Sequence, residues 1–290
     1  MVIKTSKGLL ELCELRSCSL SDLLIEYEAE NSMSSAQQAI SKMKDIYGIM
    51  EESAVKAQES NQGLSLRIME NDSAKIHAAI EAGRVKTSPL LANAICFSMS
   101  VSAVNASMGR IVACPTAGSC GVLPGVLLSL VKDGKTTREA AGKSLFNAAG
   151  IGILISENAT LAGAVGGCQA EIGSACAMAA SAACECLGGS PIECINAAAF
   201  ALKGLLGLVC DPVAGLVETP CSKRNALACC MAFGAAEMAL CGIESTIPFD
   251  EVISAMAAIS LEMPVSLKET ARGGLAATKT AKELEKKIFG

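Results

Sequence analysis

The balance of polar and apolar positions changes along the chain. Residues 1–60 are its polar part, and the rest is dominated by long apolar stretches. Within the polar part Ile40, Met43, Ile46, Met50 and Val55 recur at steps of three to five. That spacing predicts an amphipathic helix with these five residues turned inward. Ser21-Asp22, just ahead of Leu23, Leu24 and Ile25, predicts a helix start. Gly63 to Ser73 has no period and is polar, which predicts a linker or surface loop.

Further on, Ser88-Pro89 and Ser190-Pro191 each place a capping residue before a proline, the pattern of a first helical turn. The helix after Ser88 is expected to run to about Met108, and another from Thr137 to Ile155. Two more are expected over 222–243 and 249–262. The most apolar stretches are Leu145–Gly167, Ile195–Cys210 and Leu227–Ile243, and they carry Glu157, Lys203 and Glu237. A bilayer span needs about 20 largely uncharged residues, so these read as helices buried on nearly all sides. No segment alternates with a period of two, so no strand is predicted. The expected fold class is all-α: a single globular domain over residues 1–290, a bundle of largely buried helices with functional loops between them.

Composition sharpens this reading. Hydrophobic residues make up 51% of the chain, yet aromatics are only 3% and tryptophan is absent. Alanine and glycine must therefore do the packing, which suits helices whose axes approach closely. A formal charge of −5 argues against a nucleic-acid surface. The opening MVIKTSKGLLELCELR is too charged for the apolar part of a signal peptide, so a cytoplasmic, non-membrane protein is expected. Fifteen cysteines, an odd number, point to reduced thiols rather than a disulfide framework.

Cysteine chemistry concentrates in Cys210–Asn225, CDPVAGLVETPCSKRN. Two thiols stand beside Pro212 and Pro220, with Asp211, Lys223 and Arg224 close by. Proline fixes φ and removes an amide donor, so a rigid loop between helices is expected. It could hold a metal, or its cysteines could simply fill the core, since free cysteine behaves as a small hydrophobe. A second candidate is Thr116, Ala117, Gly118 and Ser119 within VNASMGRIVACPTAGSCGVLPG. Such a run exposes amides and hydroxyls that can cradle a carboxylate or phosphate, or it is a tight interhelical turn. In GAVGGCQAEIGSACAMAA, Cys168 lies at the mouth of an alanine-rich helix with Glu171 one turn on. A helix N-terminus stabilises a thiolate, although a cysteine there also reads as close packing. His77, the single histidine, sits in a charged helical pattern and reads as a solvated helix residue or as a base.

In this order, VNASMGRIVACPTAGSCGVLPG, GCQAEIGSACAMAA, CDPVAGLVETPCSKRNA and the tail LKETARGGLAAT resemble the α chain of iron–sulfur-dependent bacterial L-serine dehydratases. The resemblance covers Asn105 to Thr278, with YEAE near residue 27 extending it loosely. It implies a [4Fe–4S] cluster held by Cys168, Cys210 and Cys221, and L-serine as substrate. Thr116–Ser119 is expected to be the loop that meets the substrate's carboxylate or amine, with Arg224 or Asn225 assisting. Ala103 stands where the resemblance leads one to expect glutamate, and Cys114 where alanine is commoner. The roles of Cys114 and Cys120 stay unassigned.

The family's base is a histidine in a GPSSSHT-like motif of the β domain or chain, and this sequence contains no such motif. A serine dehydratase β chain is therefore the expected partner, in an oligomer. Three alternatives stand beside this one: a lyase for another β-substituted amino acid, a pyridoxal-phosphate dehydratase using Lys223, and a non-catalytic helical scaffold.

Overall fold

The computed structural model describes residues 3–58 and 61–290. Its first three helices, α1 (Ser6–Arg16), α2 (Leu20–Asn31) and α3 (Ala36–Lys56), each open on a hydroxyl cap. Thr5, Ser19 and Ser35 accept from the amides of Gly8, Asp22 and Gln38, which satisfies donors a helix start leaves unpaired. The cap of α2 is thus Ser19, two residues ahead of the expected Ser21. Ser21 is buried instead, and its amide and hydroxyl go to the Glu185 carboxylate (3.0 and 2.6 Å). On α3, Tyr47, Met50 and Ala54 are buried and Ile40, Met43 and Ile46 half-buried, but Val55 is exposed. Five residues after Met50, Val55 has turned about 140° away from the inward face.

Next come α4 (Asp72–Glu81), α5 (Pro89–Ala106), α6 (Val122–Lys132), α7 (Arg138–Asn158) and the single turn α8 (Gly163–Gly166). The chain continues through α9 (Ser174–Cys186), α10 (Pro191–Lys203), α11 (Cys221–Leu240), α12 (Phe249–Glu262) and α13 (Lys279–Phe289). No strand occurs among the described residues, and one isolated parallel bridge joins Cys210 to Lys268. The all-α expectation holds.

Helix α9 is the axis of the molecule. Every residue from Ser174 to Cys184 is buried, and α6, α7, α10 and α11 surround it. A helix apolar on all sides belongs in a core, and alanine lets the neighbouring backbones come close. Glycine serves the same end where α5, α6 and α11 meet. A Cβ on Gly125 would lie 2.6 Å from Cys229 Sγ and 2.8 Å from the Ala94 carbonyl. Two polar side chains sealed inside are paired in series: Ser181 donates to Asn147 (2.6 Å), and Asn147 donates to the half-buried Glu185 (3.0 Å).

Among the described residues one helix, α5, is long and apolar enough to cross a membrane, and most of it is buried against its neighbours. Of the three stretches singled out from sequence, the first two are broken, α7 ending at Asn158 and α10 at Lys203, whereas the third is buried on one side only, with Leu227, Met231 and Met238 of α11 exposed. Two further differences bear on the site. The last five residues of Cys210–Asn225 are helical, because the Glu218 and Pro220 carbonyls accept from Ser222 and Arg224 (both 3.0 Å) and start α11 before the expected loop has ended. Residues 63–71 are irregular and largely at the surface, as expected, but the segment is anchored inward where Met69, Asn71 and Ser73 are buried.

Candidate metal centre

Three connections reach one place at the N-terminal ends of α6, α9 and α11. Asn225, in the second turn of α11, accepts from Gly121 N (2.9 Å) and donates to the Gly118 carbonyl (2.8 Å), fastening α11 to the start of α6. Gln169 does the equivalent before α9. Its amide donates to Leu208 O (2.9 Å), its Oε1 accepts from Gly207 N (2.8 Å), and its Nε2 donates to Ser260 Oγ (3.1 Å) on α12. Gly167, at φ 76°, makes the turn in front of Cys168. There an added Cβ would lie 2.6 Å from Met263 Sδ, so the position accepts no side chain on either count.

The thiols of Cys168 and Cys210 and a carboxylate oxygen of Glu171 lie within 4.8 Å of one another. Both cysteines are 2% exposed. The Glu171 carboxylate faces Cys210 Sγ (3.9 Å) and is walled by glycines. A Cβ on Gly163 would stand 2.5 Å from Glu171 Oε2 and 3.1 Å from Cys210 Sγ, and one on Gly118 3.2 Å from the same oxygen.

Arg224 is the cation of the site. Its Nη1 pairs with Asp211 at 2.7 Å, donates to the Val209 carbonyl at 2.9 Å and lies 3.7 Å from Cys168 Sγ. Cys168 is held below the usual thiol range, first because the Cys210 thiol donates to it and then because of Arg224. The bonded Cys168 sulfur keeps the Cys210 proton on, and burial adds to that. Of the two adjacent sulfurs, Cys168 is thus the one whose surroundings favour a thiolate. Burial first, then the nearby Glu269 charge, push the Glu171 carboxyl up against the opposing bonds from Thr116 and Cys210.

Cys221 opens α11 and lies outside this closest set, yet within electrostatic reach of it. Burial, then Cys168 and Glu171, push its thiol up to about 12. Of the Thr116–Ser119 turn, Thr116 bonds Glu171 and Gly118 abuts it, whereas Ser119 is fully buried and hydrogen-bonded to Thr116 (3.2 Å). Ala117 offers its carbonyl to Asn105 (2.9 Å). Arg224 and Asn225 reach the site already bonded within the chain.

The other cysteines nearby have neutral, structural surroundings. Cys114 points at the Val112 and Cys120 carbonyls (both 3.5 Å), and burial holds its thiol at about 12. Burial likewise raises Cys120. Cys176 and Cys229 donate to backbone carbonyls inside the helix bundle. His77, half-buried on α4, is not among the gathered residues. Lys223 is 45% exposed and paired with Asp72 at 2.5 Å, a charged surface setting ill-suited to Schiff-base chemistry. A separate cavity of about 420 Å³, lined by Ile25, Met43, Tyr47 and Phe146 between α2, α3 and α7, contains no thiol.

The tail completes the site. Cys210 N donates to Leu267 O (2.9 Å), Glu269 N donates to Cys210 O (2.7 Å), and Leu275 N donates to Asp211 Oδ2 (2.7 Å). Gly274, at φ 57°, brings its backbone so close that a Cβ would stand 2.3 Å from Asp211 Oδ2. Glu171 and Asp211, read from sequence only as neighbours of the motif cysteines, and Gln169, not singled out there, also converge on the site. Their nearness to Cys168 and Cys210 in the chain was the available signal.

Residues 16–276 match the family described as serine dehydratase alpha chain. The chain is 44% identical to the probable L-serine dehydratase alpha chain of Bacillus subtilis, across 100% of this chain and 96% of that protein. It is 38% identical to the L-serine dehydratase alpha chain of Peptoniphilus asaccharolyticus, across 98% of each. The L-serine dehydratase of Streptomyces coelicolor is 45% identical over 62% of this chain, which covers 40% of that longer protein.

Proposed function

Because this chain belongs to the serine dehydratase alpha-chain family, we propose that it is the α subunit of an iron–sulfur L-serine ammonia-lyase. Its reaction removes the Cα proton and the β-hydroxyl of L-serine and yields pyruvate and ammonia. The supporting observation is the buried convergence of Cys168, Cys210 and Glu171 beside Arg224, whereas Cys176 and Cys229 point at backbone carbonyls. Cys168, Cys210 and Cys221 would hold a [4Fe–4S] cluster. The donor set suits it: closely spaced sulfurs, one already inclined to the thiolate, shielded from water and with a cation beside them. A cluster with only three thiolate ligands supplies a Lewis acid at its remaining iron.

This chain's own residues bind and orient the substrate. Thr116 and Gly118 line the approach next to Glu171, while Ser119 and Asn225 hold that turn rigid from behind. Arg224 balances the negative charge collected around Cys168. Removal of the Cα proton needs a positioned base, which we assign to a β chain covering the site. The pair works in the cytoplasm, as one domain of this chain joined to its partner.

The experiment is anaerobic purification of this chain with and without a candidate β chain, followed by iron and sulfide analysis and a pyruvate assay with L-serine. Iron, sulfide and serine turnover are expected in the pair. Serine turnover by an iron-free pair would overturn the metal assignment.

A further inference from the structure

Glu218 lies in the α10–α11 connection, three residues before Cys221, and is 3% exposed. Backbone amides take the place of a cation at its carboxylate. Arg67 N donates to both oxygens (3.0 and 3.2 Å), while Ile68 N (2.8 Å) and Met69 N (3.0 Å) donate to Oε2. Three consecutive N–H groups turned to one point form an anion-binding concavity. Hydrogen bonds to an ionised group are roughly twice as strong as neutral ones. A buried carboxylate stripped of such bonds would be strongly unfavourable. Side chain and segment therefore hold each other.

The two ends of this clasp are anchored differently. On the donor side, Ser65 N bonds Ser107 Oγ (2.8 Å), Asn71 Nδ2 bonds Ala57 O (2.7 Å), and Met69 is buried against Ala103 and Val104. On the carboxylate side, the Glu218 carbonyl accepts from Ser222 N (3.0 Å), the first rung of α11, and the Thr219 carbonyl accepts from Val213 N (2.9 Å). Cys221 hangs between those bonds and the Pro220–Arg224 rung. A second tie, Lys223 to Asp72 at 2.5 Å, joins the same turn of α11 to the start of α4.

We propose that Glu218 is a positioning residue: by clasping the amides of residues 67–69 it fixes Cys221 and the first turn of α11 against Cys168 and Cys210. Glu218 touches neither substrate nor metal ligand and acts through the backbone it holds. The iron part of the test rests on Cys221 being a cluster ligand, whereas the amide part does not.

Hydrogen exchange on the full-length metal-free chain reads the clasp directly. In Glu218→Ala the amides of 67–69 and the 213–222 segment are expected to exchange about tenfold or more faster, with α7 and α9 unchanged. Glu218→Gln keeps one accepting oxygen and should fall between, and it carries the test if the alanine variant does not fold. In the anaerobic α–β pair, iron loss to a ferrous chelator should quicken about tenfold or more in Glu218→Ala, less in Glu218→Gln. Glu185→Gln is the control: it loosens a half-buried carboxylate bound by Ser21 and Asn147 in the bundle, and should lower the melting temperature without hastening iron loss. Wild-type exchange at 67–69 and 213–222 in both Glu218 variants would overturn the clasp. So would iron release from Glu185→Gln as fast as from Glu218→Ala. A wild-type pair without iron would remove the metal reading, while exchange would still decide the clasp.

Discussion

Arg224 and Asp211 form an ion pair at 2.7 Å that is nearly closed to water, their side chains 16% and 3% exposed. One sits in the first turn of α11, three residues after Cys221, and the other directly follows Cys210. The same guanidinium nitrogen lies 3.7 Å from Cys168 Sγ, so a single cation links all three cysteine-bearing segments. Removing one partner of a buried pair costs about 3–5 kcal/mol, because the other charge is left uncompensated. Arg224→Leu should lower the unfolding free energy of the metal-free chain by an amount of that order. Arg224→Lys should lose less, since it keeps the charge but not the planar fork. Urea unfolding of the three proteins checks this, and equal midpoints would remove the pair from the account.

Replacing Cys168, Cys210 or Cys221 by serine should abolish iron retention. Cys184→Ser and Cys229→Ser, both in the helix core, should keep it. Wild-type activity is expected to decay in air and to return with ferrous iron and thiol. Iron counting and a timed assay in air decide this. Full iron in Cys210→Ser would exclude the assignment.

Gly163→Ala adds a methyl group 2.5 Å from Glu171 Oε2 and 3.1 Å from Cys210 Sγ, so the carboxylate must move. Iron content and serine turnover should fall severalfold. Gly48→Ala, in α3 with nothing within 4 Å of the new atom, serves as the comparison. It should be neutral or stabilising by up to about 1 kcal/mol. The two melting curves and iron contents separate a local displacement from a general helix effect.

Asp72 predicts a pH dependence. Burial would raise its carboxyl pKa, but Lys223 and then Lys75 outweigh burial and hold it below the ordinary 3.8. A folded-state pKa below the unfolded one contributes stability that is full above the unfolded value and is lost as pH falls through the folded one. Asp72→Asn should therefore lower the melting temperature at neutral pH. The difference should shrink as pH falls below the ordinary carboxylate range and vanish once both states are protonated. A difference that persists in acid would mean that Asp72 acts by packing or capping instead.

This chain alone should not turn over serine. A positioned base contributes about 10²–10⁴-fold, and His77 is not among the residues gathered at the site. In the reconstituted pair His77→Ala should keep nearly full activity. Robust turnover by the single chain, lost in His77→Ala, would make His77 the base.

Helix positions were legible in the sequence because burial imposes a period and because prolines and hydroxyl caps mark starts; α5 and α10 begin where Ser88-Pro89 and Ser190-Pro191 place them. The cysteine motifs were legible because Cys168 and Cys210 stand among glycines and prolines rather than in alanine runs. Residues acting through distant partners were not. Nothing local says that Glu218 meets amides 151 positions earlier, or that Ser21 closes on Glu185 164 positions later. Gln169 was hidden for the same reason, since its side chain joins Gly207 to Ser260. Val55 was misplaced because the tolerance for steps of five in a helical period exceeds what the geometry allows.

The bridge between Cys210 and Lys268, with Leu275 on Asp211, also sets an order of events in the cell. A ribosome releases the chain from its N-terminus, so Cys168 and Cys210 emerge well before the stretch that braces them. Until residues 267–275 are free to lie across Cys210, that cysteine's amide and the Asp211 carboxylate lack their native partners. If the site takes the proposed cluster, iron delivery would wait until residues 267–275 have emerged, and until then the nascent chain would be a dithiol awaiting closure.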